Sequence, residues 1–144
     1  MNDAVVTELK LPTRLGFEKV AMNTAASVAQ LMGFSSDRVD DLKTAVAEAC
    51  INAIEHGNQL NEQLAIMVTL SMGEESLEVR IHDQGQGVNG EFQAPDIDRK
   101  MLGEESPRGM GMFLIQALVD EVEYGREQNG SYARLVIHLK GNRN

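Results

Sequence analysis

The stretch Ile66-Met-Val-Thr-Leu-Ser-Met-Gly-Glu-Glu-Ser-Leu-Glu-Val-Arg-Ile-His-Asp83-Gln-Gly-Gln-Gly87 decides the fold. Ile66, Val68, Leu70 and Met72 fall on one side of an extended chain, and Leu77, Val79 and Ile81 do the same in a second run. Successive side chains of a strand point to opposite faces, so each run is a strand with one face covered. Gly73-Glu74-Glu75 supplies the turn between them. The parity of the second strand continues to Asp83, which therefore points toward the covered face. A carboxylate there is costly unless it is paired. The glycines that follow, Gly85 and Gly87, let a backbone turn sharply and approach a ligand closely. A carboxylate at a strand end beside such a turn can accept a hydrogen bond from an adenine amine. Taken alone, the same residues also fit a glycine-rich turn with no ligand.

Working outward, residues 4–11 alternate apolar and polar and read as a strand that Pro12 ends. Phe17, Val20, Thr24, Val28 and Leu31 recur at helical steps over residues 15–32, and Gly33 suits the C-cap. Ser35 or Ser36 caps a second helix, with Asp37 in its first turn. Its apolar stripe is Val39, Leu42, Val46, Ala49, Cys50 and Ala53, and Gly57 suits the left-handed position that ends a helix. Residues 84–108 are polar, Gly-rich and without period, which marks a long functional loop. A third helix starts near Gly109 and runs through Ile115 and Val119, and strands near 121–127 and 131–139 close the chain. Neighbouring strands pair as hairpins, and the helices need a shared face to cover. The expectation is an α+β two-layer sandwich, a mainly antiparallel sheet covered on one face by helices, in a single domain over 1–144.

Two further groups carry chemistry. Glu48 and Asn52 are four apart and share one side of the second helix, flanking its apolar stripe. Asn is a poor helix-interior residue. A carboxylate and an amide oxygen one turn apart can hold a hydrated Mg²⁺ and orient a nucleophile, or can simply be solvated. Pro107-Arg108-Gly109-Met110-Gly111 opens the third helix, where free N–H groups and the positive dipole end suit phosphate and Arg108 adds a fixed cation. No Walker A loop is present. Each group has a bland reading; three ligand-like groups in this order are hard to explain as accidents.

Together these residues resemble the GHKL ATPase superfamily. Glu48-Ala-Cys-Ile-Asn52-Ala-Ile-Glu-His56-Gly57 resembles its N box, Asp83-Gln-Gly-Gln-Gly87 its first glycine box, and Arg108-Gly-Met-Gly111 its second. Met32-Gly-Phe-Ser35, Asp41-Leu-Lys-Thr-Ala-Val-Ala-Glu-Ala-Cys50, Met110-Gly-Met-Phe113 and Val119-Asp-Glu-Val122 are similar to the bacterial anti-sigma factor/serine-protein kinases of partner-switching systems, and so is a closing strand opened by Gly130-Ser131. The resemblance implies a Bergerat-type ATP-binding fold that uses ATP and Mg²⁺. It implies Glu48 as general base or water-orienting carboxylate, Asn52 as Mg²⁺ ligand and Asp83 as reader of the adenine amine. Gly85 and Gly87 would pass close to the nucleotide. Arg108, Gly109, Met110 and Gly111 would meet the phosphates, with 88–107 as a lid and Ser131 near the adenine. The implied partners are an alternative sigma factor, a STAS-domain anti-anti-sigma protein phosphorylated on Ser or Thr, and a second copy in a homodimer. Two alternatives stay open: an ATP-binding interaction module without kinase activity, and a regulator whose target is not a sigma factor.

Composition narrows the classes. Thirteen Lys plus Arg against twenty-two Asp plus Glu give a net charge of -9, which repels nucleic acid and anionic lipid. Direct nucleic-acid or membrane binding is therefore not expected. The single cysteine, Cys50, sits in an apolar Ala-rich stretch and reads as a small core residue. His56, His82 and His138 are too scattered for a metal site, and His82 is expected to face away from the core. The N-terminal residues do not read as a signal peptide, and no apolar run is long enough to span a membrane, so the chain is expected in the cytoplasm.

Overall fold

A computed structural model describes residues 5–85 and 107–140, with the backbone alone at 107–110. The elements run β1 (Val5–Pro12), α1 (Glu18–Met32), α2 (Ser36–Asn52), a π-helical turn (Ala53–Gly57), β2 (Ala65–Met72), β3 (Ser76–His82), α3 (Pro107–Leu118), β4 (Glu121–Glu127) and β5 (Gly130–His138). All strand pairs are antiparallel, in the order β1-β2-β3-β5-β4. This is the two-layer α+β arrangement expected from the pattern.

Register explains the layering. Val68 lies opposite Ile81 and Leu70 opposite Val79, while β5 places Leu135 opposite Val79 and Ala133 opposite Ile81. These residues share the face that meets the helices, and Ile66, Val68, Leu70, Leu77, Val79, Ile81, Leu135 and Ile137 are buried there. Each such Leu or Ile contributes about 2 kcal/mol by leaving water. The other face carries Glu78, Arg80, Arg134, Tyr132 and His82. Glu78 bonds both Arg134 (2.7 Å) and Arg80 (3.1 Å), and His82 pairs with Glu127 (2.7 Å), away from the core as expected.

Helix α2 begins as predicted. Ser35 is extended, and its hydroxyl accepts from Arg38 N. Val39, Leu42, Ala45, Val46, Ala49 and Cys50 bury one face of this helix. Gly33 is left-handed (φ 93°) and closes α1. Two expectations are corrected. Helix α1 buries Ala21, Ala25, Ala26, Val28 and Ala29, whereas Val20 and Leu31 (79% exposed) face out. The bulkiest residues suggested one phase of the helix; its alanines, which allow α1 to lie close against α2, set another. Gly57 does not end its helix in the left-handed region either. The chain continues through the π turn, and the positive φ values fall at Gln59 (53°) and Leu60 (60°). Asn58 N bonds Ala53 O and Leu60 N bonds Ile54 O, so the wider turn absorbs the helix end.

Candidate active site

Asp83 directly follows β3 and keeps the inward parity of Ile81. It is only 9% exposed. Its carboxylate cost is met by main-chain donors: Oδ1 accepts from Gly85 N (3.2 Å) and Ser131 N (3.1 Å). Its own N–H donates to Ser131 O at 2.9 Å, which ties it to β5. The π turn after α2 presses on the same carboxyl group, because a Cβ at Gly57 would overlap it, and a Cβ at Gly85 would overlap Gly57 O. Only glycines admit this junction.

Asp83 borders a small cleft between sheet and helices. Ala49 of α2, Ala53 of the π turn, Ile81, Ala133, Met112 and Tyr124 make its apolar wall, and Asn52, Asp83 and Ser131 its polar groups. An apolar slot with a few convergent polar groups suits a flat heterocycle. Glu48 and Asn52 lie half-buried on the side of α2 that meets α3. A Cβ at Gly111 would come within 2.7 Å of Glu48 Oε1 and 3.6 Å of both Asn52 side-chain polar atoms. The first turns of α3 thus approach the Glu/Asn pair closely at Gly111.

Of the residues predicted from sequence, Asn52, Asp83 and Ser131 line the cleft, Gly85 sits at its Asp83 edge, and Glu48 and Gly111 meet beside it. Ser131 touches Asp83 through its main chain. Arg108, Gly109 and Met110 fall in the first turn of α3, and their side chains lie outside the described residues, as do Gly87 and residues 88–106 of the lid expected over 88–107.

Sequence reasoning missed Tyr124 and the pair Asn58–Thr13. Tyr124 shares parity with Val122 in β4, a signal that could have found it. Asn58 and Thr13 are 2% and 1% exposed and hydrogen-bond each other at 2.8 Å. In the sequence each stands 45 residues from the other, as an ordinary turn residue. Cys50 is inert: burial, and after it the charge of Glu18, pushes its thiol up to about 12. Among the described residues no three His, Cys, Asp or Glu side chains gather as a metal cluster. Glu48 and Asn52 offer hard oxygen donors of the kind that would suit a Mg²⁺ ion.

Comparison with known proteins agrees with this geometry. Residues 12–137 match the family model described as a histidine kinase-like ATPase domain. The serine-protein kinase RsbW of Bacillus subtilis is 28% identical over 146 residues, covering 99% of this chain and 91% of that protein. RsbW of Oceanobacillus iheyensis is 33% identical over 144 residues, covering 97% and 89%. A solved structure of the RsbU and RsbW domains of a Mycobacterium tuberculosis protein superposes with a TM-score of 0.66 at 17% identity, over 92% of this chain and 32% of that longer one, and so shares the fold. The chain belongs to the histidine kinase-like ATPase family, among its RsbW-type serine-protein kinases. No helix among the described residues is long and apolar enough to cross a membrane.

Proposed function

We propose that this chain, as one domain over 1–144, is an ATP-dependent serine/threonine-protein kinase and anti-sigma factor. It sequesters an alternative sigma factor and phosphorylates a STAS-domain antagonist, acting in the cytoplasm as a homodimer. The observation that carries the reading is the convergence of three distant segments on one cleft: Asp83 after β3, Glu48 and Asn52 on α2, and Gly111 in α3.

Each residue then has a task. The Asp83 carboxylate, already oriented by two main-chain N–H groups, accepts a hydrogen bond from the exocyclic amine of adenine. Gly85 and Gly87 allow close approach of the backbone, and Ser131 borders the base. Arg108 and the N–H groups of Gly109, Met110 and Gly111, at the positive end of α3, hold phosphate oxygens. Asn52 is the protein ligand for Mg²⁺, which when bound neutralises phosphate charge. Glu48 accepts the proton of the antagonist's Ser or Thr hydroxyl as that oxygen attacks the γ-phosphorus and ADP departs. Phosphoryl transfer needs positioning and charge neutralisation more than covalent help, so this small set suffices.

The test is transfer of labelled γ-phosphate from Mg·ATP to the cognate STAS-domain protein, read as phosphoserine or phosphothreonine. Glu48→Ala is expected to lower the transfer rate on the order of 100- to 10,000-fold while ATP still binds. Absence of transfer by the wild-type chain to any cognate antagonist would sink the kinase reading. Transfer at the wild-type rate in Glu48→Ala would remove Glu48 from the proton step.

A further inference from the structure

Next to the Asp83 turn, and outside the lining of the cleft, lies a buried polar chain that the roles above do not use. Asn58 follows the π turn and is 2% exposed. Its Oδ1 accepts from Gln84 N at 2.8 Å, and its Nδ2 donates to Thr13 Oγ1 at 2.8 Å and to Ala65 O at 3.1 Å. The partners fix the orientation of the amide, because only its oxygen can face an N–H and only its nitrogen a carbonyl. Thr13 Oγ1 passes its own proton to Leu64 O at 2.7 Å. Gln84 is held a second time, since its Oε1 accepts from Ala65 N at 2.7 Å.

Gln84 stands between Asp83 and Gly85. The residue linking the carboxylate to the glycine is thus anchored at its main chain by Asn58 and at its side chain by β2. Asp83 Oδ1 bonds Gly85 N, so a shift of Gln84 moves the donor that orients the carboxylate. We propose that Asn58 is a positioning residue for base recognition: it holds the Gln84 amide so that Asp83 stays aimed into the cleft, and adenine selectivity depends on a side chain that does not itself line the cleft. The inference rests on the nucleotide reading above.

The test compares ATP with GTP, whose base presents a carbonyl where adenine has its amine. Calorimetry with the full chain and Mg²⁺ reads both affinities, well below the melting temperature of each variant. Asn58→Ala is expected to weaken ATP binding about tenfold and GTP binding hardly at all, so the ATP/GTP ratio falls about tenfold. Thr13→Val is the structural control. It breaks the same network but leaves the Asn58–Gln84 bond, so it lowers the melting temperature and keeps the ratio. Should Asn58→Ala fail to fold, Gln84→Ala, at an exposed side chain, removes the second anchor and is expected to lower the ratio about threefold. A folded Asn58→Ala protein with an unchanged ratio overturns the inference, as does an unchanged ratio in Gln84→Ala where Asn58→Ala does not fold. A wild-type chain that takes up no ATP overturns the nucleotide reading and this inference with it.

Discussion

Asp83 and Asp120 are two carboxylates with little exposure and different surroundings. Asp120, between α3 and β4, accepts from Arg38 Nη2 at 2.8 Å and from His138 N at 2.7 Å. Arg38 also reaches Leu118 O (3.3 Å) and Asp41 (3.2 Å), so one guanidinium joins the start of α2 to the end of α3. Asp83 Oδ1 is held by the uncharged N–H groups of Gly85 and Ser131 at the rim of a cleft. A carboxylate against an arginine has its charge matched within the fold. The two N–H groups at Asp83 orient its Oδ1 without contributing a full charge of their own. In the function proposed above Asp120 is a structural clamp and Asp83 a recognition group, a distinction that burial does not draw, since both are nearly enclosed.

Removing either carboxylate tests the contrast. The largest effect is expected at the clamp: Asp120→Ala leaves Arg38 without its shortest partner and should cost about 3 kcal/mol of unfolding free energy, measured by urea denaturation. ATP affinity of the folded variant should be unchanged. Loss of ATP binding at full stability would reverse the assignment. Next comes Asp83→Asn, which keeps an oxygen for the two N–H groups but replaces the carboxylate beside the base. Calorimetry should show ATP affinity falling on the order of 100-fold with only a small change in melting temperature. An equal loss of stability would make Asp83 a second clamp.

The smallest effect lies on the open face of the sheet. Burial alone would raise the Glu78 carboxyl, but hydrogen bonds from Arg134 and Arg80 and their charges hold it below the usual carboxylate range. Its contribution is therefore complete above the unfolded carboxylate value and is lost as pH falls through the lower folded value. Glu78→Gln should cost about 0.5 kcal/mol at pH 7 and less at pH 3, making the acid limb of the stability curve shallower. An unchanged limb would show that the ladder contributes nothing.

Much of this was legible in the sequence. The strand parity that buries Val79 and Ile81 also delivers Asp83, because a period of two needs no tertiary information. Glu48 and Asn52 share a side for the equally local reason that they are one helical turn apart. The phase of α1 was misread because Val20 and Leu31 are large, while its packing surface is made of alanines. Gly57 was misread because a glycine after a helix usually serves left-handed backbone, and here it serves a contact with Asp83 from another segment.

The sequence by itself determined the order of elements, the inward direction of Asp83 and the family to which its motifs are similar, since these depend on period and spacing along the chain. Only the tertiary structure decided that Gly111 meets Glu48, that Asn58 grips Gln84, and that Arg38 matches Asp120. Those pairs lie far apart in sequence, and contacts between distant residues are set by how helices and sheet pack, which no local pattern encodes.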